Sequence, residues 1–273
     1  MMDYRYDLHC HSSFSDGTLF PKELLYLAKK VGLSGISITD HDTIDGYTDE
    51  LLHVAKELEI ELLTGVEISS SLNDETVHIL GYGFDYSSEI LKSFLEEVQK
   101  RRYQRNLVIL KKLAAHNIKI SEAELYKNIQ FENATIGRPH IAILMVEKGY
   151  VKDFKAAFNQ YLQDGGCCYV IGDKFSPNEI IEILHKVEAK AVLAHPQQVS
   201  KLDVLNDLLD MPFDGLEAYY GKMVLHKEKR WVRIAKKKGW LITGGSDFHG
   251  AIKPFLNLGC SWVSKECFDL LKS

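Results

Sequence analysis

Apolar positions along the chain follow two periods. Short apolar runs at Tyr6–His11, Gly35–Thr39, Glu61–Ile68, Val77–Gly83, Ala191–Ala194, Gly215–Ala218 and Leu241–Gly244 have the length and composition of buried strands. Between most of them the apolar residues recur at helical spacing. Pro21–Val31 is one such segment, with proline at its first position and Gly32 just beyond its end. Strand and helix in alternation imply parallel βα units, closed into a barrel or opened into a doubly wound sheet. Periodicity does not choose between the two. From about Glu89 to Leu162 the strand-like runs stop and helical stretches follow one another over 89–116, 121–128, 138–148 and 153–162. The expectation is a helical insertion, residues 89–165, in a parent domain made of 1–88 and 166–273. No Gly/Ser-rich or Pro-rich linker flanks the insertion, so it should pack on the parent domain and share a cleft with it.

With 273 residues, 45% of them hydrophobic and 26% charged, the chain can bury a large core. A net charge of −5 provides no global positive field, which argues against stable binding of duplex DNA. No apolar run approaches the roughly 20 residues that span a bilayer, and the N-terminus lacks a signal-peptide core, so a cytoplasmic protein is expected. The five cysteines, at 10, 167, 168, 260 and 267, have neither CxxC spacing nor the density of a disulfide scaffold. Reduced thiols are expected, including the adjacent Cys167 and Cys168.

The chemistry gathers at strand ends. His9-Cys10-His11 closes the first run, and residues two apart on a strand share a face, so the two imidazoles converge and Cys10 turns away. Asp247-Phe248-His249 repeats this spacing after the last run. Asp40-His41, Glu67 and His195 also stand at strand C-termini, the face on which parallel barrels collect catalytic groups. His78 lies nearer the start of its strand and fits less readily. Imidazoles mixed with carboxylates suit zinc, manganese or iron, whereas a structural zinc knot would need clustered thiolates. His53, His116, His185 and His226 fall in helical stretches and are read as surface or packing residues.

Asp7-Leu8-His9-Cys10-His11-Ser12-Ser13-Phe14-Ser15-Asp16-Gly17 and Ile38-Thr39-Asp40-His41-Asp42 resemble motifs of the polymerase and histidinol phosphatase (PHP) superfamily. So do Gly65-Val66-Glu67-Ile68-Ser69, Leu193-Ala194-His195-Pro196 and Gly245-Ser246-Asp247-Phe248-His249, in the family's order. The resemblance implies a distorted (β/α)7 barrel of the TIM-like kind. It also implies two to three divalent ions, manganese first, with zinc or iron as alternatives. Carried over residue by residue, one ion would be held by His9, His11, Glu67 and Asp247. A second would share Glu67 with His78 and His195, and a third would use Asp16, His41 and His249. Catalysis falls to Glu67, Asp247 and His249, by attack of a metal-activated hydroxide on phosphorus. Asp40, with Thr39 and Asp42, is read as orienting an imidazole.

The insertion, with Arg101-Arg102-Tyr103-Gln104-Arg105 and Gly137-Arg138-Pro139-His140, is similar to that of small phosphoesterases acting on nucleoside 3′,5′-bisphosphates and short oligonucleotides. Arg138 and His140 open a helix whose N-terminus attracts anions, and arginine offers a bidentate fork for phosphate. For Arg101, Arg102 and Arg105 a solvated helix face competes with substrate contact. Asp164-Gly165-Gly166-Cys167-Cys168 departs from the basic or small residues that relatives usually carry before the Tyr169-Val170 pair. Two rival functions stand beside the nucleotide phosphoesterase: a histidinol-phosphate phosphatase using the same ions, and a non-catalytic PHP module.

Overall fold

Seven strands hydrogen-bond in chain order: β1 (Tyr6–Cys10), β2 (Gly35–Ile38), β3 (Glu61–Leu72), β4 (Glu75–Tyr82), β5 (Lys190–Leu193), β6 (Gly215–Tyr220) and β7 (Leu241–Gly245). The structure, a computed structural model, describes residues 4–127 and 134–272. Just past β7 the chain returns to β1. There the Asp247 amide donates to the His9 carbonyl (2.8 Å) and the His11 amide to the Phe248 carbonyl (2.9 Å). The sheet is thereby nearly closed into the α/β barrel that the sequence implies.

The helices are α1 (Pro21–Lys30), α2 (Asp49–Glu57), α3 (Glu89–Ala115), α4 (Glu122–Lys127), α5 (Arg138–Glu147), α6 (Phe154–Ala157), α7 (Pro177–Lys186), α8 (Leu202–Leu209), α9 (Leu225–Lys238) and α10 (Lys265–Leu270). The helical stretch expected over 121–128 is α4, except for residue 128, which lies outside the described residues. Apolar stripes of α1, α2, α7, α8 and α9 cover the outward strand residues, among them Ile36, Val66, Ile79, Leu193 and Leu216. Inside the barrel, Leu8, Leu63, Leu80 and Val192 form a separate apolar floor with Phe268 and Leu271 at the C-terminal end of the chain. No helix among the described residues is long and apolar enough to cross a membrane.

One strand breaks the expected parallel order. β4 runs antiparallel to both β3 and β5, while β1–β2–β3 and β5–β6–β7 are parallel. β3 and β4 are joined by Asn73-Asp74 instead of a helix, and both residues have positive φ (48° and 61°). That left-handed pair is what a two-residue type I′ hairpin turn requires, and Asn and Asp tolerate it best among side-chain-bearing residues. The reversal brings the start of β4 to the barrel end at which the parallel strands finish. His78 pairs there with Ser69.

The insertion has its own hydrophobic cluster, including Ile109, Leu113, Ile118, Ile141, Met145, Leu162 and Cys168. α3 belongs to both parts: Leu91, Leu95 and Val98 pack on the barrel, and Ile109, Leu110 and Leu113 lie in the second cluster. α3 thus passes from one core to the other along its length.

Closure of the barrel depends on Gly245. A Cβ there would lie 2.4 Å from both the amide nitrogen and the Cβ of His9. Neither can move without displacing β1. Gly245→Ala is expected to cost about 1–3 kcal/mol, the usual range for overpacking, seen as a lower midpoint in urea unfolding. An unchanged midpoint would mean that β1 and β7 approach less closely than this.

Candidate metal centre

An irregularity in β1 builds the first ligand pair. The register with β2 shifts between Asp7 and Cys10, as in a β-bulge. Leu8 belongs to the apolar floor, whereas Cys10 joins the outer layer and donates to the Ser37 carbonyl at 3.3 Å. His9 and His11 are thus delivered together into the polar mouth of the barrel, both fully buried.

Glu67, on β3 and almost fully buried, is the centre of the cluster. Its Oε2 lies 3.4 Å from His9 Nε2, 3.2 Å from His11 Nε2 and 3.1 Å from His41 Nδ1. Its Oε1 lies 2.9 Å from both His78 Nδ1 and His195 Nε2. Asp247 faces the same space, with Oδ1 3.5 Å from His9 Nε2 and 3.3 Å from His11 Nε2. On the other side of His11 stands Asp16. Its Oδ1 is 3.3 Å from His249 Nε2 and 3.7 Å from His11 Nδ1, and its Oδ2 is 3.8 Å from His41 Nε2. His9, His11, Asp16, His41, Glu67, His78, His195, Asp247 and His249 thus all meet in one connected cluster. Candidate ligand atoms lie within 4.8 Å of one another in three groups: His9/His11/Glu67, His41/Glu67/His78 and His11/Asp16/His41/His249. The last contains His11 in addition to the residues expected from the sequence.

The geometry fits bound cations. His9 Nε2, His11 Nε2, His41 Nδ1 and Asp16 Oδ1 are buried atoms without a hydrogen-bond partner among the described residues. Leaving such atoms unsatisfied is costly. Nitrogen and oxygen donors that share one ion at about 2.1 Å stand roughly 3.0–3.4 Å apart, close to most of the separations here. Burial disfavours charge on Glu67, but the imidazoles of His41, His78 and His9 outweigh it and hold the carboxyl well below its ordinary range. Burial likewise opposes charge on His11, but Asp247 and Glu67 raise it to about 9. Protons occupy places that a cation would take, so binding should displace them.

Supporting groups set ring orientation. His9 Nδ1 contacts Glu217 Oε1 at 2.8 Å, and Glu217 Oε2 accepts from the His195 amide at 2.9 Å. His249 Nδ1 donates to the Asp247 carbonyl at 2.9 Å, which leaves Nε2 with its lone pair toward Asp16. Tyr220 and Lys253 both donate to Asp247 Oδ2 at 2.5 Å, so Oδ1 is turned to the histidines. His195 and Asp247 have positive φ (25° and 53°), a strained backbone of the kind that tertiary structure sustains at functional sites.

Asp40 acts at one remove. It accepts from the Ser12 amide (2.7 Å), Ser12 Oγ (2.5 Å) and Ser15 Oγ (2.6 Å), and Ser15 Oγ stands 3.4 Å from His11 Nδ1. It therefore fixes the loop beside His11 and has no direct contact with an imidazole. Thr39 Oγ1 donates to the Cys10 carbonyl (3.3 Å), and Asp42 takes Arg102 Nε (2.8 Å) and the Ser69 amide (2.6 Å). Neither is placed to orient a ring. The four helical histidines, His53, His116, His185 and His226, are exposed.

A cleft of about 310 Å3 joins this cluster to the insertion, lined by Asp16, His41, His78, His249 and Lys253 from the barrel side and by Arg102, Arg105 and Arg138 with Lys174 across from them. Arg102 is paired with Asp42, and Arg138 with Asp164 and the Leu162 carbonyl (3.0 Å). Arg105 Nε is buried without a hydrogen-bond partner among the described residues. Lys174 is pulled well below the ordinary lysine range by burial and then by Arg105, Arg102 and Arg138. His140 does not line this cleft. Its Nδ1 accepts from the Gly137 amide at 3.1 Å, and its ring borders a neighbouring pocket with Ser13 and Thr18. Arg101 turns away as well, to Glu97, Asp173 and the Phe175 ring.

Residues 7–166 match the PHP domain. The chain belongs to the PHP family. It is 32% identical over 270 residues to a 5′-3′ exoribonuclease from Haemophilus influenzae, covering 96% of this chain and 93% of that protein. It is 30% identical to a 3′,5′-nucleoside bisphosphate phosphatase from Chromobacterium violaceum, over 89% of this chain and 86% of that one. A solved structure of a proposed metal-dependent phosphoesterase from Bifidobacterium adolescentis superposes with a TM-score of 0.87 at 30% identity, covering 97% and 94% of the two chains. The protein is accordingly a PHP-family metal-dependent phosphoesterase, a hydrolase, and the non-catalytic reading is set aside.

Three residues of this PHP site escape a reading of strand ends. Glu217 stands inside the apolar run Gly215–Ala218, where an acid interrupting the run was the available signal, and it is fully buried. Tyr220 lies at the end of β6, two positions beyond the expected strand. Lys253 follows a short 3₁₀ turn at Gly250–Ile252 and has no periodic context at all.

Proposed function

We propose that this phosphoesterase hydrolyses phosphate esters of small nucleotides carrying a second phosphate, either a nucleoside 3′,5′-bisphosphate or the 5′ end of a short oligonucleotide. The reading is carried by the cation group that shares one cleft with the carboxylate and imidazole cluster. Arg105 and Lys174 have no carboxylate partner of their own among the described residues, and the cations of the group disfavour one another's charge. A polyanion seated there would relieve that repulsion. A substrate with phosphates at two positions can place one at the ligand cluster and the other at the arginines. The Chromobacterium relative is named for a 3′,5′-nucleoside bisphosphate and the Haemophilus relative as a 5′-3′ exoribonuclease, which supports a nucleotide substrate.

In this proposal two or three ions, manganese foremost with zinc or iron competing, are held by His9, His11, Asp16, His41, Glu67, His78, His195, Asp247 and His249. Such ions supply Lewis acidity toward phosphoryl oxygens and lower the pKa of bound water. The protein's own part is positioning. Glu67 spaces the imidazoles, Glu217 locks the His9 and His195 segments, and Lys253 with Tyr220 fixes the Asp247 carboxylate. Residues 89–165 form the part that grips the distal end of the substrate. Five free cysteines fit a reducing, cytoplasmic location.

Phosphate release from adenosine 3′,5′-bisphosphate and not from histidinol phosphate tests the substrate class. The reverse preference would return the chain to the rival reading. Arg138→Ala tests the division of labour, because remote binding energy positions the reacting centre. Loss of one charge-assisted contact is worth about 1.5–3 kcal/mol, or roughly ten- to two-hundred-fold in kcat/KM. That loss is expected with the bisphosphate and not with an aryl phosphate lacking a second phosphate. Equal losses on both would move Arg138 to the reacting phosphate, and no loss on either would leave it a structural partner of Asp164.

A further inference from the structure

The insertion carries a second group of donors, different in kind from the barrel cluster. His116 ends α3, and Cys167 and Cys168 follow the turn at Gly165-Gly166. One ligand atom from each of the three lies within 4.8 Å of the others. The two sulfur atoms are 3.9 Å apart and unbonded. Thiolates bound at about 2.3 Å to one tetrahedral ion stand roughly 3.8 Å apart. His116 and Cys167 are exposed, so the group opens to solvent, while Cys168 is anchored in the core of the insertion.

We propose that His116, Cys167 and Cys168 form a second cation site, for a thiophilic closed-shell divalent ion of the zinc type, with its fourth position open to water. The barrel cluster offers only nitrogen and oxygen, whereas two sulfurs and an imidazole select softer ions. The backbone already holds the donors. The Cys168 amide donates to the Tyr161 carbonyl (3.0 Å), the Tyr169 amide to the Gly166 carbonyl (3.0 Å), and Lys112 Nζ to the Tyr169 carbonyl (2.9 Å). Two thiolates held side by side need a cation between them, and its binding releases the thiol protons.

The same strap reaches the catalytic cleft. Asp164 is paired with Arg138, and the Tyr169 ring lies 5.2 Å from the Arg138 guanidinium. Tyr169 also bonds Thr76 on β4 at 3.0 Å. An ion at the cysteines therefore stiffens the segment on which Arg138 rests.

Cadmium is the probe, titrated into the purified, manganese-loaded protein while the ultraviolet thiolate-to-metal charge-transfer band is followed. The barrel cluster contains no thiol ligand, so the band reports on cysteine sites alone. Saturation at one equivalent is expected, with the band lost in Cys167→Ser, affinity lowered about tenfold or more in His116→Ala, and no change in Cys267→Ser. Hydrogen exchange over residues 163–169 should slow on cadmium addition in the wild type and not in Cys167→Ser. Cys167 is exposed, so its substitution leaves the fold intact. Absence of the band, its persistence in Cys167→Ser, or isolation of the pair as a disulfide that takes up no ion would overturn the proposal.

Discussion

Glu67→Gln should lower kcat by about a thousandfold or more, equivalent to roughly 4 kcal/mol of barrier, while KM for the nucleotide changes little. Glutamine keeps the size of the side chain but removes its charge and turns one oxygen into a donor. Glu67 Oε2 is approached by His9, His11 and His41, and Oε1 by His78 and His195, all in a buried space. No other carboxylate of the cluster touches both His78 and His9. The substitution therefore uncouples the His78 side of the cluster from the His9 side, whereas substrate phosphates would still meet Arg138 and Lys174 across the cleft. Steady-state kinetics on adenosine 3′,5′-bisphosphate, with unfolding midpoints compared to exclude a folding defect, give the answer. A fall of less than about tenfold, or 1.4 kcal/mol, would refute the bridging role.

Removing divalent ions should abolish phosphate release, and manganese should restore it, with zinc or iron restoring it to different extents. Imidazoles and carboxylates are mixed in one cluster, so no single ion is strongly selected by ligand type. Unpartnered buried atoms on His9, His11, His41 and Asp16 also predict a stability effect. A ligand that satisfies them binds the folded chain and not the unfolded one, so added manganese should raise the unfolding midpoint with a concentration dependence. Metal analysis, phosphate release and thermal unfolding on one chelated sample test both consequences. Full activity in protein shown to be free of metal would end the assignment.

Several features were legible along the chain because they are local. His9 and His11, two apart where the first strand ends, share a face on either side of Cys10. Asp247 and His249 are again two apart beside a strand end, and Glu67 interrupts an apolar run. The helical character of the stretches 89–116 and 138–148 was likewise a matter of period. His78 fitted the same logic less readily, since a residue at a strand start reaches a site at strand C-termini only where the strand is reversed. The signal for reversal was present in Asn73-Asp74, which favours a hairpin turn. Two residues outside a long run of βα alternation carry little weight in a pattern analysis.

Sequence by itself determined the alternating elements, the donor types and the family motifs, because each depends on residues close along the chain. Tertiary structure decided which donors meet. Glu67 reaches His195, and His9 reaches Glu217, across 128 and 208 residues. It also decided that His140 caps its own helix beside a different pocket, while Arg102 and Arg105, for which a solvated helix face competed with substrate contact, face the cleft. The physical reason is that the side of α3 facing the barrel is set by packing at both of its ends, on Leu91 and Leu95 against the strands and on Ile109 and Leu113 against the insertion. A charged residue between two such anchors is buried or exposed according to where those cores sit, and that placement depends on the whole chain.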